Sequence, residues 1–172
     1  MSNKLKKIKL LIVVVFFFVC LILFYQSQLW QFFVKDGQLV KLQIKNNFFS
    51  RQGQTLLVEV AKSENSVRQG LSSRSQLQSI NGQEIDGMLF IFPETKIRQF
   101  WMKDVQFDID ICWIEDKKLV NCTRRALAPE PTTPTDTLPI YPSPQKVDWV
   151  LETNPDFLSE EMLGDKLYLS LF

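Results

Sequence analysis

Asp108 and Asp110 stand two residues apart in the run Phe107-Asp108-Ile109-Asp110-Ile111. On a strand, that spacing puts both carboxylates on one face. Paired carboxylates can pass protons or hold a hard cation, so these two are the candidates for metal-assisted hydrolysis. The plainer reading has Asp110 pairing with a cation while Asp108 marks a strand start. If the following hairpin sets Cys112 opposite Cys122, Asp110 faces Arg124. Just upstream, Trp101 and Lys103 share a strand face with Gln99. An aromatic platform beside polar groups is a common form of ligand site. The alternative packs Trp101 in the core and lets Lys103 snorkel to water. Arg74, like Arg68, can fork onto an anion, or tie a helix to the sheet. The candidate ligand-binding set is therefore Arg74, Trp101, Lys103 and Asp110. Cys112 and Cys122 flank a polar turn and can form a cross-strand disulfide in an oxidising compartment, provided the register does not slip by one residue. The chain contains no histidine. That excludes Ser-His-Asp and Cys-His nucleophiles and any His-ligated zinc or haem, and no cofactor is expected.

The elements that must position these residues centre on Gly87–Glu115, an apolar and aromatic stretch that reads as three consecutive strands. Met88–Phe92 is wholly apolar and stopped by Pro93. Ile97–Lys103 is partly apolar on both faces, which suits a strand buried on both sides. Asp108–Ile114 follows, and Glu115-Asp116-Lys117-Lys118 turns it into Leu119–Thr123 as a hairpin. Earlier, Gln38–Lys45 alternates with period two, and Thr55–Ala61 reads as a second strand. Asn46–Gly53 is turn-like. Ser63 is a helix N-cap, the helix runs to about Gln69, and Gly70 suits its C-terminus. Ser72–Asp86 is loop-like, with Asn81-Gly82 as a turn. Six of the eight prolines fall between Pro129 and Pro144, which predicts a long irregular loop there. Lys146–Thr153 is a further strand. Pro155–Gly164 predicts a short helix, and Lys166–Leu171 a last strand. The expected fold is mostly β: an antiparallel sandwich or partly open barrel with one or two short helices, preceded by one N-terminal transmembrane helix.

The N-terminus sets location. Lys4, Lys6, Lys7 and Lys9 precede the apolar run Leu10–Tyr25, and no acid occurs before Asp36. Extended from Ile8 to Trp30, the run reaches the ~20 residues of a membrane span. No small-residue cleavage site follows it, so an uncleaved signal is expected rather than a removed one. The expected organisation is a basic cytoplasmic tail over 1–7, a transmembrane anchor over 8–30, a spacer over 31–37 and an extracytoplasmic β-rich domain over 38–172. The positive-inside rule makes this a single-pass cell-membrane protein with a cytoplasmic N-terminus. Setting aside the four early lysines, the formal net charge of +1 becomes −3. That balance gives no reason to expect nucleic acid as a partner. The expected partners are the membrane, through the N-terminal helix, and a small ligand or envelope component.

Several ordered motifs carry a resemblance: Val58-Glu59-Val60-Ala61; Arg68 with Gly70-Leu71 and Arg74; Gly87–Pro93; Phe100-Trp101-Met102-Lys103; Ile109-Asp110-Ile111; Tyr141-Pro142-Ser143; Trp149-Val150-Leu151-Glu152; and Gly164-Asp165. Over roughly Leu57–Leu169 the chain resembles the domain-of-unknown-function family 192, a set of mostly exported, uncharacterised proteins. Where that family usually carries Asn after the Met-Lys pair, this chain has Asp104. The resemblance implies a compact β-rich fold and no particular activity. Three functions are in view: a ligand-binding or envelope-interaction module, a hydrolase using Asp108 and Asp110, and a structural partner of another membrane protein.

Overall fold

The computed structural model describes residues 2–26, 34–46 and 53–170. The chain divides into two compact units, Met1–Lys35 and Asp36–Phe172. The first holds one helix, α1 (Ser2–Gln26), whose side chains from Leu10 to Val19 are exposed. Among the described residues no helix is long and apolar enough to cross a membrane, so the transmembrane helix expected over 8–30 is not found. Residues 27–30 at the end of that expected span, 31–33 of the spacer and 47–52 of the expected turn lie outside the described residues.

The second unit is built from β1 (Leu39–Lys45), β2 (Gln54–Ala61), α2 (Glu64–Gln69), β3 (Gly87–Lys96), β4 (Gln99–Trp101), β5 (Ile109–Glu115), β6 (Lys118–Ala126), β7 (Ile140–Pro142), β8 (Val147–Thr153) and β9 (Lys166–Ser170). Seven strands close a barrel in the order β1-β2-β3-β8-β5-β6-β9, and β9 pairs back onto β1. A closed barrel leaves no open edge to pair with a second chain. This excludes the sandwich and completes the partly open barrel. One pairing is parallel: β2 beside β3. The connection through α2 and the loop up to Asp86 is long enough for the crossover that parallel strands require.

Period-two alternation shows which side faces in. In β1, Val40, Leu42 and Ile44 are fully buried while Lys41 is exposed. Cross-strand partners share a face, so the inward set continues through Val58, Val60, Leu89, Leu151 and Cys112. The other face of β3, β8 and β5 carries Met88, Phe90, Val150, Ile111 and Trp113, and it is buried too. A second layer formed by Leu71, Met102 and Val105 covers it. Strands covered on both sides read as continuous apolar runs rather than alternating ones, which is why Met88–Phe92 of β3 and Trp149–Leu151 of β8 are apolar without a break.

The stretch Gly87–Glu115 holds three consecutive strands, β3, β4 and β5, as expected, although they are not neighbours in one sheet. β8 lies between β3 and β5, and β4 leaves the barrel to pair with β7. Ile97–Lys103 is accordingly not a doubly buried strand: only Gln99–Trp101 is extended, and Ile97 and Trp101 are about half exposed. β3 continues past Pro93 to Lys96, because its pairing with β8 shifts register between Ile91 and Lys96, and a bulge does not need the N–H that proline lacks. The proline-rich segment contains β7, and the helix expected at Pro155–Gly164 is a single 3-10 turn at Glu160–Met162.

Two local devices hold the parts. Ser63 caps α2, its Oγ accepting from the Ser66 N–H. Asp36 reaches over the same end and accepts from the backbone N–H groups of Lys62 at 2.7 Å and Ser63 at 3.0 Å and from the Ser63 hydroxyl at 2.8 Å. Slight burial works against ionisation of Asp36. The hydrogen bonds from Ser66, Ser63 and Lys62 outweigh it and bring the carboxyl to about 2. On the hairpin of β5 and β6, Cys112 lies directly opposite Cys122, and the two are joined by a disulfide. Replacing both cysteines by alanine should cost about 2–3 kcal/mol, since the bridge closes a short loop. Urea denaturation of the oxidised wild type beside the double variant measures it, and equal midpoints would show that the bridge adds nothing.

Candidate functional site

A cleft of about 840 Å³ opens on the outer face of the barrel wall. One side is the end of α2 and the turn after it, Val67–Ser73; the other is Ile97–Trp101 with Lys103 to Val105. Phe90 and Phe92 of β3 and Glu152 of the adjacent β8 complete the lining. Each wall has a local cause. Gly70 ends α2 at φ +48°, and a Cβ there would meet the Phe90 ring at 3.4 Å. That distance is an ordinary contact, so it is the positive φ of the turn that calls for glycine. The turn is then laced to the far wall: the Ser72 hydroxyl donates to the Lys103 carbonyl at 2.8 Å and the Ser73 N–H to the Asp104 carbonyl at 2.7 Å. Asp104 sits at φ +59°. Asp tolerates that conformation better than most residues.

The β4 wall is pinned by aromatic packing. Phe100 meets Phe90 edge-on at 5.1 Å between centroids and Trp113 at 5.7 Å. Ser143 extends the β4–β7 pairing, donating its N–H to the Arg98 carbonyl and accepting the Arg98 N–H on its hydroxyl. With Phe100 turned inward, Gln99 and Trp101 project outward, while Arg98 is half-buried. The Arg98 guanidinium lies 3.9 Å from the Phe92 ring centroid, and the Lys103 ammonium 5.6 Å from that of Trp101. Trp101 itself is 46% exposed.

Glu152 forms the floor. It is 95% buried, and its Oε2 has no hydrogen-bond partner. Strand pairing puts Met88 on one side of it and Ile111 on the other. Burial drives its carboxyl up to about 8; the charge of Arg74 pulls the other way without winning. Arg74 is already engaged, its Nη1 donating to Glu59 at 2.7 Å. Glu152 is thus a protonated acid at neutral pH, with an O–H to donate.

The sequence-derived candidates separate. Trp101 and Lys103 line the cleft together. Arg74 lies outside the lining, paired with Glu59, and acts on Glu152 only through its field. Asp110 is on the other side of the sheet: it pairs with Thr153 on the inward face, whereas Ile111 pairs with Glu152 on the outward one. Asp110 is fully buried and accepts from Arg124 Nη1 at 2.7 Å and from the N–H groups of Arg125 at 2.8 Å and Asp156 at 3.0 Å. Arg125 and Asp156 both take positive φ, so Asp110 holds two tight turns as well as an ion pair. Asp108 accepts the Ala128 N–H at 2.9 Å. Among the described residues, no three His, Cys, Asp or Glu side chains gather where a metal ion would be held. The disulfide of Cys112 and Cys122 is on the inward face and takes no part in the cleft.

The sequence profile of the domain-of-unknown-function family 192, described as an uncharacterized ACR family, matches residues 47–168. The chain belongs to this family. No functionally curated protein matches the chain. Two solved structures share its fold. One is from Sinorhizobium meliloti 1021, a protein provisionally described as a transcription regulator: 24% identical, covering 79% of this chain and 97% of its own, TM-score 0.61. The other, of unknown function, is from Novosphingobium aromaticivorans DSM 12444: 17% identical, covering 78% and 86%, TM-score 0.58. This member of the family carries two site residues that reading its sequence for paired groups overlooks, Glu152 and Arg98. A signal for Glu152 was present, an acid ending the apolar run Trp149-Val150-Leu151. Arg98 had none, because its place depends on β4 leaving the barrel.

The raised Glu152 carboxyl sets a sign for stability. Below about pH 4.5, the ordinary glutamate value, folded and unfolded chains both hold the proton, and Glu152 contributes nothing. Between there and about 8 the unfolded chain releases the proton that the folded chain keeps, so stability falls as pH rises. Glu152→Gln removes that slope. Denaturation midpoints at pH 5 and pH 8.5 should fall more for the wild type than for the variant, by on the order of 3–5 kcal/mol in free energy; parallel curves would refute the buried neutral acid.

Proposed function

We propose that this protein is a membrane-tethered, extracytoplasmic binding module that receives a small ligand or envelope component in the cleft between α2 and β4. The observation that carries the reading is the cleft itself, where Trp101 and Lys103 stand over a buried acid with an unpartnered oxygen. The lining is mixed, with aromatic side chains beside charged and polar ones, and polar groups converging on a concave surface are a common feature of ligand sites. The tether is supported by four lysines leading into an apolar run. The Cys112–Cys122 disulfide suits an oxidising compartment. The hydrolase reading has less support, because the bonds of Asp108 and Asp110 are committed to loop backbone and Arg124. A specific observation favours the structural-partner reading as second choice: Trp101 and Ile140 pair across β4 and β7, and with Ile97 they leave apolar surface exposed.

Two measurements test this. In a thermal-shift screen of small polar and aromatic compounds, ligands that raise the wild-type midpoint should lose most of that effect with Trp101→Ala or Lys103→Ala. Hits that ignore both substitutions would remove the cleft from the reading. For the tether, the full chain should stay with membranes after carbonate extraction and be digested by protease added outside the cell. Recovery in the carbonate supernatant would defeat it.

A further inference from the structure

The cleft also indicates what chemistry it selects, an inference that rests on the binding reading above. Its charged groups are unevenly committed. Arg68 is neutralised by Glu64 at 2.6 Å. Among the described residues, neither Arg98 nor Lys103 is in an ion pair; each lies instead against an aromatic face, Phe92 and Trp101. Arg98 also donates from Nη2 to the Glu94 carbonyl and feels the charges of Glu94 and Asp148, so neither cation touches a carboxylate, and Lys103 is the less engaged of the two. Asp104 is the one acid beside them in the lining, while Glu152 lies at the floor. Cation–π contact orients a charge without cancelling it, so both remain able to bind an anion.

The floor works in the same direction. Glu152 is enclosed by Met88, Ile111 and Phe90. The charged groups around it are Glu59 on β2, Arg74 after α2, Arg68 on α2, Arg98 before β4, and Lys103 and Asp104 after it. Arg74 is shared with Glu59, which leaves the Glu152 Oε2 unpartnered. A carboxyl kept neutral by its surroundings donates a hydrogen bond and does not repel a negative group. An ammonium ligand would meet two cations at the mouth and no carboxylate charge at the floor. An apolar body fits between, along Phe90, Phe100 and the outer face of Trp101.

The geometry points to an amphipathic organic acid as the ligand: a carboxylate drawn in by Arg98 and Lys103, an apolar or aromatic body along Phe90, Phe100 and Trp101, and an accepting oxygen that takes the hydrogen bond of the Glu152 carboxyl. Ionising Glu152 removes the donor and places a negative charge beside the ligand's own. Affinity therefore falls as pH rises past the point where Glu152 loses its proton, and the site releases its ligand in alkali.

The test uses the full-length chain in nanodiscs, labelled with 5-fluorotryptophan, with the Trp101 fluorine signal assigned through Trp101→Phe. Phenylacetate and phenethylamine serve as probes that share a ring and differ in charge. Phenylacetate should shift the Trp101 signal saturably at pH 6, with Kd at least tenfold weaker at pH 9. Glu152→Gln should bind with a Kd that changes little between those two pH values. Arg98→Met with Lys103→Met should weaken phenylacetate severalfold without the pH dependence being lost. Stronger binding of phenethylamine, or a pH dependence that survives Glu152→Gln, would overturn this inference and leave the binding cleft standing. If neither probe moves the Trp101 signal at millimolar concentration, the cleft reading falls with it.

Discussion

The structure depends on β8 lying between β3 and β5 with both of its faces covered. Every residue of that strand from Val147 to Thr153 is buried. Its inward side, with Trp149 and Leu151, fills the barrel; its outward side, with Val150 and Glu152, supports the second layer. At about 25 cal/mol per Å² of apolar area, a strand covered twice contributes far more than one half exposed to water. The same double coverage leaves Glu152 only 5% exposed, at the cleft. The stability of the barrel and the unusual state of the cleft acid are two results of one packing arrangement.

Asp110 and Glu152 show how one residue of register decides the fate of a buried acid. They occupy neighbouring strands near the same end of the barrel, one facing in and the other out. The inward acid meets Arg124 and two turn N–H groups, and becomes a fastening for the loops. The outward acid meets apolar side chains and an arginine already shared with Glu59. An ionised carboxylate with a full set of donors is stable inside a protein, while one without them keeps its proton. Chemistry is therefore better sought at Glu152 than at Asp110, although Asp110 belongs to the more conspicuous pair in the sequence.

Much of the domain is legible in the sequence. The period-two pattern of Gln38–Lys45 and the polar turn at Glu115–Lys118 correspond to β1 and to the hairpin of β5 and β6. Ser63 and Gly70 mark the two ends of α2. Other features were not legible, and for a common cause. Ile97–Lys103 has the composition of a core strand, yet only Met102 and Phe100 are drawn into the packing, Phe100 against Phe90 and Trp113. The prolines of 129–144 suggest irregularity throughout, yet Ile140–Pro142 finds a partner in β4. In both places a pairing distant in sequence outweighed local propensity.

By itself the sequence determined the strand periodicities, the capping and turn residues, the mostly β class, and the identity of the family. These follow from interactions among residues a few positions apart, or from ordered motifs that need no coordinates. Only the tertiary structure decided that the barrel closes, that β2 and β3 run parallel, that Asp110 and Trp101 stand on opposite sides of a sheet, and that Glu152 is left with an unpartnered oxygen. Each of those depends on which segments, far apart in the chain, exclude water from one another. Desolvation is a sum over neighbours in space, and a sequence lists only neighbours along the chain.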